Sequence, residues 1–194
     1  MPAGILALMS LCARHDVTVD GQHDAIRSLA RWYASQRRDS PHGPWWPQWL
    51  TLADLRDGTP GQPGGWRPSW CYGAAGIGRA LQLAAIAADD GAVQAAAEQA
   101  IAACLEPPQL ARLTEPGLCH GLAGLYVTAL RAAHDARSPD IASRLPEAAV
   151  LLAGKAGAAE GGGLLTGAAG VRLALESARN GPPRSGWDAC LLIT

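Results

Sequence analysis

Three stretches of the chain carry one hydrophobic pattern. CYGAAGIGRAL begins at Cys71, CHGLAGLYVTAL at Cys119 and LTGAAGVRLAL at Leu165, each with Gly-x-x-Gly at the mouth of an apolar run. Their leading glycines, Gly73, Gly121 and Gly167, are 48 and 46 residues apart. A fourth, weaker copy opens the chain, with Gly4 aligned to Gly76, Gly124 and Gly170 and Met1 where a leading glycine would fall. These runs are nearly apolar all round, so the pattern predicts helices buried on every side. Between them, at about residues 22–37, 89–104 and 139–155, lie segments with one polar face, as around Arg27, Arg31 and Arg37 or around Gln94 and Glu98. Those predict helices with one side in water. A buried helix alternating with an amphipathic one at a period near 47 residues predicts an all-α barrel or solenoid of inner and outer helix pairs. With its first copy cut short, the expected architecture is a partial α/α toroid, a single domain over residues 1–194.

One segment breaks the rhythm. Residues 40–69 read SPHGPWWPQWLTLADLRDGTPGQPGGWRPS, rich in Pro, Gly and Trp. A connection of this length is usually functional. It leads into Trp70-Cys71 and is expected to fold over that end of the toroid.

Composition narrows the class. Hydrophobic residues make up 48% and charged ones 17% of the 194 residues, a globular balance, and Phe is absent while Ala dominates the periodic runs. The formal net charge of -1 gives no reason to expect nucleic acid or an anionic membrane surface as partner. No stretch approaches the roughly 18–20 apolar residues of a membrane span. The first residues, MPAGILALMSLCARHD, lack the basic start and cleavage site of a signal peptide. A cytoplasmic chain is expected, and its five cysteines, an odd number, argue against a disulfide framework.

Register singles out the chemistry. Cys71 and Cys119 hold the same position in consecutive repeats, and His120 follows Cys119 where Tyr72 follows Cys71. Equivalent positions lie at the same end of adjacent inner helices, so two sulfurs and an imidazole converge at one rim. Two sulfurs, one nitrogen and an open fourth position describe a catalytic zinc site. The bland reading is that cysteines on apolar helices are small core residues and a lone histidine is a hydrogen-bonded one. Cys12, Cys104 and Cys190 fit that reading; His15, His23 and His134 look like surface residues; His42 is the one further histidine near the rim. Gly-x-x-Gly beside a helix can cradle an anion, but no Lys-Ser/Thr follows, so helix packing explains it better. A glycosidase or terpene-cyclase-like barrel would need paired carboxylates, and Asp89-Asp90 is the one such pair, at a helix–helix turn. A purely structural helical repeat would leave the Cys/His register unexplained.

The strings Arg67-Pro68-Ser69-Trp70-Cys71-Tyr72-Gly73 and Cys119-His120-Gly121 are similar to the two signature motifs of lanthionine synthetase C-like proteins. GPWWPQW and the ending SGWDACLLIT extend the resemblance over the whole chain. The resemblance implies zinc held by Cys71, Cys119 and His120, with Arg67 and Trp70 lining the site as catalytic residues. It implies addition of a peptide cysteine thiol to dehydroalanine or dehydrobutyrine, with a dehydrated precursor peptide as substrate and a lanthipeptide dehydratase as partner. A non-catalytic zinc- or thiol-binding relative, of the glutathione-binding kind, is the alternative. The family's proton-handling His-Gly motif, aligned on Gly4, would fall before Met1, as would the first half of its toroid. The chain alone is therefore expected to have little cyclase activity.

Overall fold

A computed structural model describes residues 2–194. Its helices are α1 (Pro2–Arg14), α2 (Gln22–Gln36), α3 (Leu52–Asp57), α4 (Ala74–Ala87), α5 (Gly91–Cys104), α6 (Pro107–Leu110), α7 (Leu122–Asp135), α8 (Asp140–Lys155) and α9 (Ala168–Asn180). Short 3₁₀ turns follow at Ala156–Ala158 and Trp187–Leu191. No strand forms among the described residues; a single antiparallel bridge joins Arg38 and Trp45. The all-α expectation holds, and α2, α5 and α8 fall on the three segments of mixed polarity.

Each inner helix pairs with the outer helix after it, α1 with α2, α4 with α5 and α7 with α8. The inner helices pack in chain order, α1 on α4, α4 on α7 and α7 on α9, and no comparable packing joins α1 to α9. The result is an arc of a toroid, with all inner-helix amino termini at one end.

The recurring glycines make this packing feasible. The loop before each inner helix turns back sharply, with Gly73 N–H donating to Ser69 O, Gly121 to Gly117 O and Gly167 to Gly163 O, each at 3.1 Å. A Cβ on the second glycine, Gly76, Gly124 or Gly170, would collide with the carbonyl of Trp70, Leu118 or Leu164 respectively. The loop lies directly on the first helical turn, and a side chain there would push it off.

Burial departs from expectation at the two ends of the arc. α4 and α7 are buried nearly all round. α1 instead leaves Ile5 and Leu8 exposed, and α9 exposes Arg172, Glu176 and Arg179. A helix flanked on both sides by inner neighbours loses its solvent face, and α1 and α9 each pack on one.

The 40–69 segment contains more structure than its composition predicts. Thr51 and Asp54 cap α3 reciprocally, each side chain accepting the other's backbone N–H. Trp46 is buried and its Nε1 donates to Tyr33 O at 2.8 Å, pinning the segment to α2.

Candidate metal centre

The loops before α4 and α7 deliver Cys71 and Cys119-His120 to adjacent points on the inner rim. One ligand atom from each of Cys71, Cys119 and His120 lies within 4.8 Å of the other two. The imidazole sits between the thiols, with Nδ1 2.9 Å from Cys71 Sγ and Nε2 3.7 Å from Cys119 Sγ. Tetrahedral zinc would space sulfur and nitrogen donors roughly 3.5–3.8 Å apart. The donor types match such an ion, but the two contacts use opposite ring nitrogens and the shorter one is below that spacing, so holding an ion requires the His120 ring to turn one nitrogen towards both sulfurs; all three residues are half-buried. Among the described residues this is the one His/Cys/Asp/Glu group with that geometry.

Burial pushes the Cys71 thiol up to about 12, and the charge that Cys119 would carry adds to the shift. Cys71 is therefore held as a neutral thiol until a cation compensates its negative charge.

A cavity of about 410 Å³ adjoins the cluster, lined by both cysteines, Trp70 and Tyr72 on one side and by Cys190 to Ile193 on another. Trp70 Nε1 donates to Leu191 O at 3.0 Å, which fixes the indole against the last turn of the chain. The Tyr72 ring stands 6.5 Å from the His120 ring, tilted by 32°.

Arg67 is placed differently from the other predicted site residues. Its Nη1 donates to Glu115 Oε1 at 2.8 Å, and it borders a separate hollow of about 530 Å³ with Trp66 and Arg112. Glu115 was not singled out from the sequence. The repeat signals it, for Arg67 and Glu115 each stand four residues before a ligand cysteine, and the pair bridges the two ligand loops. Cys119 N–H also donates to Leu165 O at 2.8 Å, stitching its loop to the next repeat.

His42 lies away from the cluster. It borders an outer groove against α5, where its carbonyl accepts from Gln109 Nε2 at 2.9 Å. Cys104 is buried in the core as expected, and Cys12 is half-buried. Cys190 departs from the core reading: it is exposed and lines the cavity beside the cluster.

Stacked inner and outer helices with a Cys-Cys-His group at the inner rim define an α/α-repeat protein whose rim carries three side chains that could hold a metal ion. The family model described as lanthionine synthetase C-like protein matches residues 2–192, and the chain belongs to that family. Its fold is similar to that of a nisin cyclase, with a TM-score of 0.86 at 18% identity over 98% of this chain. The match covers 48% of the nisin cyclase, so the chain spans about half that protein's length. No curated protein matches the chain by sequence. No helix among the described residues is long and apolar enough to cross a membrane.

Proposed function

We propose that the chain is a zinc-dependent lanthionine cyclase-like protein, with Cys71, Cys119 and His120 as the metal ligands and a peptide cysteine as the incoming thiol. The observation that carries this reading is the convergence of those three donors beside a cavity. Bound zinc would keep a coordinated thiol in its thiolate form near neutral pH. Three protein donors leave room in a tetrahedral shell for the substrate sulfur.

The substrate is a dehydrated precursor peptide, supplied by a lanthipeptide dehydratase in a cytoplasmic setting. Its thiolate adds to the β-carbon of dehydroalanine or dehydrobutyrine: a C–S bond forms, the C=C π bond breaks, and the α-carbon takes a proton. Tyr72 is the cavity-lining residue, cysteines apart, with a transferable proton, and it is the proton source in this reading. Trp70 is a wall of the site. Arg67 holds the first ligand loop against the second through Glu115.

Zinc and thiol binding without turnover is the second reading, favoured by the half-length match to the cyclase fold. Two measurements on the purified chain separate the possibilities. Metal analysis is expected to find one zinc per chain, lost in Cys71→Ser; an unretained metal ion rules out both readings. Loss of alkylatable thiols in a dehydrated precursor peptide then reports ring closure, which is expected to be slow and to rise with an amino-terminally extended form. Full turnover by the 194-residue chain decides against the second reading.

A further inference from the structure

The wall of the cavity opposite Cys71 and Cys119 is Cys190–Ile193, and the segment from Trp187 to Ile193 is anchored at several points. Arg131 grips the fully buried Asp188 with two hydrogen bonds, Nε to Oδ2 at 2.6 Å and Nη2 to Oδ1 at 2.8 Å. Arg79, itself 1% exposed, donates from Nε to Ile193 O at 2.9 Å. Leu191 and Ile193 are buried, and Leu191 O accepts from Trp70 Nε1. Between these fixed points Leu192 has φ 56 and ψ 41, a left-handed conformation.

That conformation is costly for a branched aliphatic residue and ordinary for Gly or Asn. The backbone therefore gives no reason for a leucine here, and the reason must lie in its side chain. The side chain lines the cavity, and Leu192 Cδ1 lies 4.0 Å from where a Cβ on Gly4 would stand. It reaches α1 and packs against the core cluster there, within the cavity that Cys71 and Cys119 also line.

We propose that Leu192 is a specificity-determining residue that limits the bulk of the amino acid flanking the substrate cysteine. The proposal rests on the metal–thiol reading given above and names which peptides that site admits. With Ile77, Ala80 and Ala7 as the neighbouring lining, the subsite is apolar and short. Cysteines beside glycine or alanine fit it; cysteines beside leucine or tryptophan meet the Leu192 side chain.

The test uses the full chain loaded with Co²⁺, whose sulfur-to-metal charge-transfer absorption reports thiol coordination without any turnover. Two end-blocked peptides, Gly-Cys-Gly and Leu-Cys-Leu, are titrated into wild type, Leu192→Ala and Leu192→Gly. The expected result is that Gly-Cys-Gly binds all three proteins within about twofold, while Leu-Cys-Leu binds both variants about tenfold more tightly than wild type. Leu192→Ala keeps the left-handed strain and Leu192→Gly relieves it, so a shared gain assigns the effect to the missing side chain. Should one variant fail to fold, the other carries the measurement. An unchanged preference in a folded variant that still coordinates thiol overturns the proposal and leaves the metal–thiol reading intact. No spectral response of the cobalt-loaded wild type to either peptide overturns both.

Discussion

A Cβ on Gly124 would overlap the Leu118 carbonyl and stand 3.3 Å from the Trp70 Cβ, between the two loops that carry the ligands. Backbone has no room to yield there, so Gly124→Ala is expected to cost about 3 kcal/mol, at the upper end of overpacking effects. Gly154 offers the control: it lies exposed on α8 with nothing within 4 Å of an added Cβ. Gly154→Ala should gain about 0.5–1 kcal/mol from helix propensity. Urea unfolding of both variants checks the pair, and equal stabilities would refute the close-approach account. The glycines were legible in the sequence because they recur in register, and the convergence of Cys71, Cys119 and His120 was legible for the same reason. Glu115 showed only its register, four residues before Cys119 as Arg67 is before Cys71; that the two charges pair emerges only once both loops are in place. Cys190 was misread because an apolar ending looks like core until its exposure is known.

At the scale of elements, α1, α4 and α7 are tied by a charge cluster away from the rim. Asp135 at the end of α7 accepts from Arg79 Nη2 at 2.7 Å and from Arg14 Nη1 at 2.9 Å. Arg79 also donates to Gln82, which with Gln94 reaches Glu98 on α5. Burial works against the Asp135 charge, but the two guanidinium groups outweigh it and hold the carboxyl at about 2. A carboxyl depressed from an unfolded value near 3.9 contributes stability above that value and loses it as pH falls towards 2. After discounting for partial exposure, that contribution is about 1–2 kcal/mol. Wild type should lose that much more stability than Asp135→Asn between pH 5 and pH 2, although the variant starts lower because Arg79 is left buried without its counter-charge. Parallel pH slopes for the two proteins would contradict the assignment. The helices themselves were readable from periodicity. This clamp was not, since Arg79 sits inside an apolar run, its counter-charge Asp135 is 56 residues away and its backbone acceptor Ile193 is 114 away.

For the whole molecule, the proposed ligands Cys71, Cys119 and His120 come from two different helix hairpins, so an ion bound there would act as a cross-link between repeats. The stacking of helix pairs could be read from its period of near 47 residues, whereas the exposure of α1 and α9 could not, because identical patterns are buried or bare according to their neighbours. Any ligand that binds the folded chain alone stabilises it by mass action, so a chelator should lower Tm and added zinc should restore it. The same treatment should leave Cys71→Ser unmoved. The pH dependence follows from the Cys71 thiol, which burial and Cys119 push up to about 12 in the metal-free protein. The Cys71 thiol is then protonated at neutral pH and must release its proton when the ion binds. Affinity should accordingly weaken by about tenfold per pH unit for every thiol proton displaced, falling as pH drops from 8 to 6. A competing chromophoric chelator measures the affinity, and a pH indicator in weak buffer counts the protons. An affinity flat across that range, with no proton release, would mean that Cys71 does not bind the ion as a thiolate.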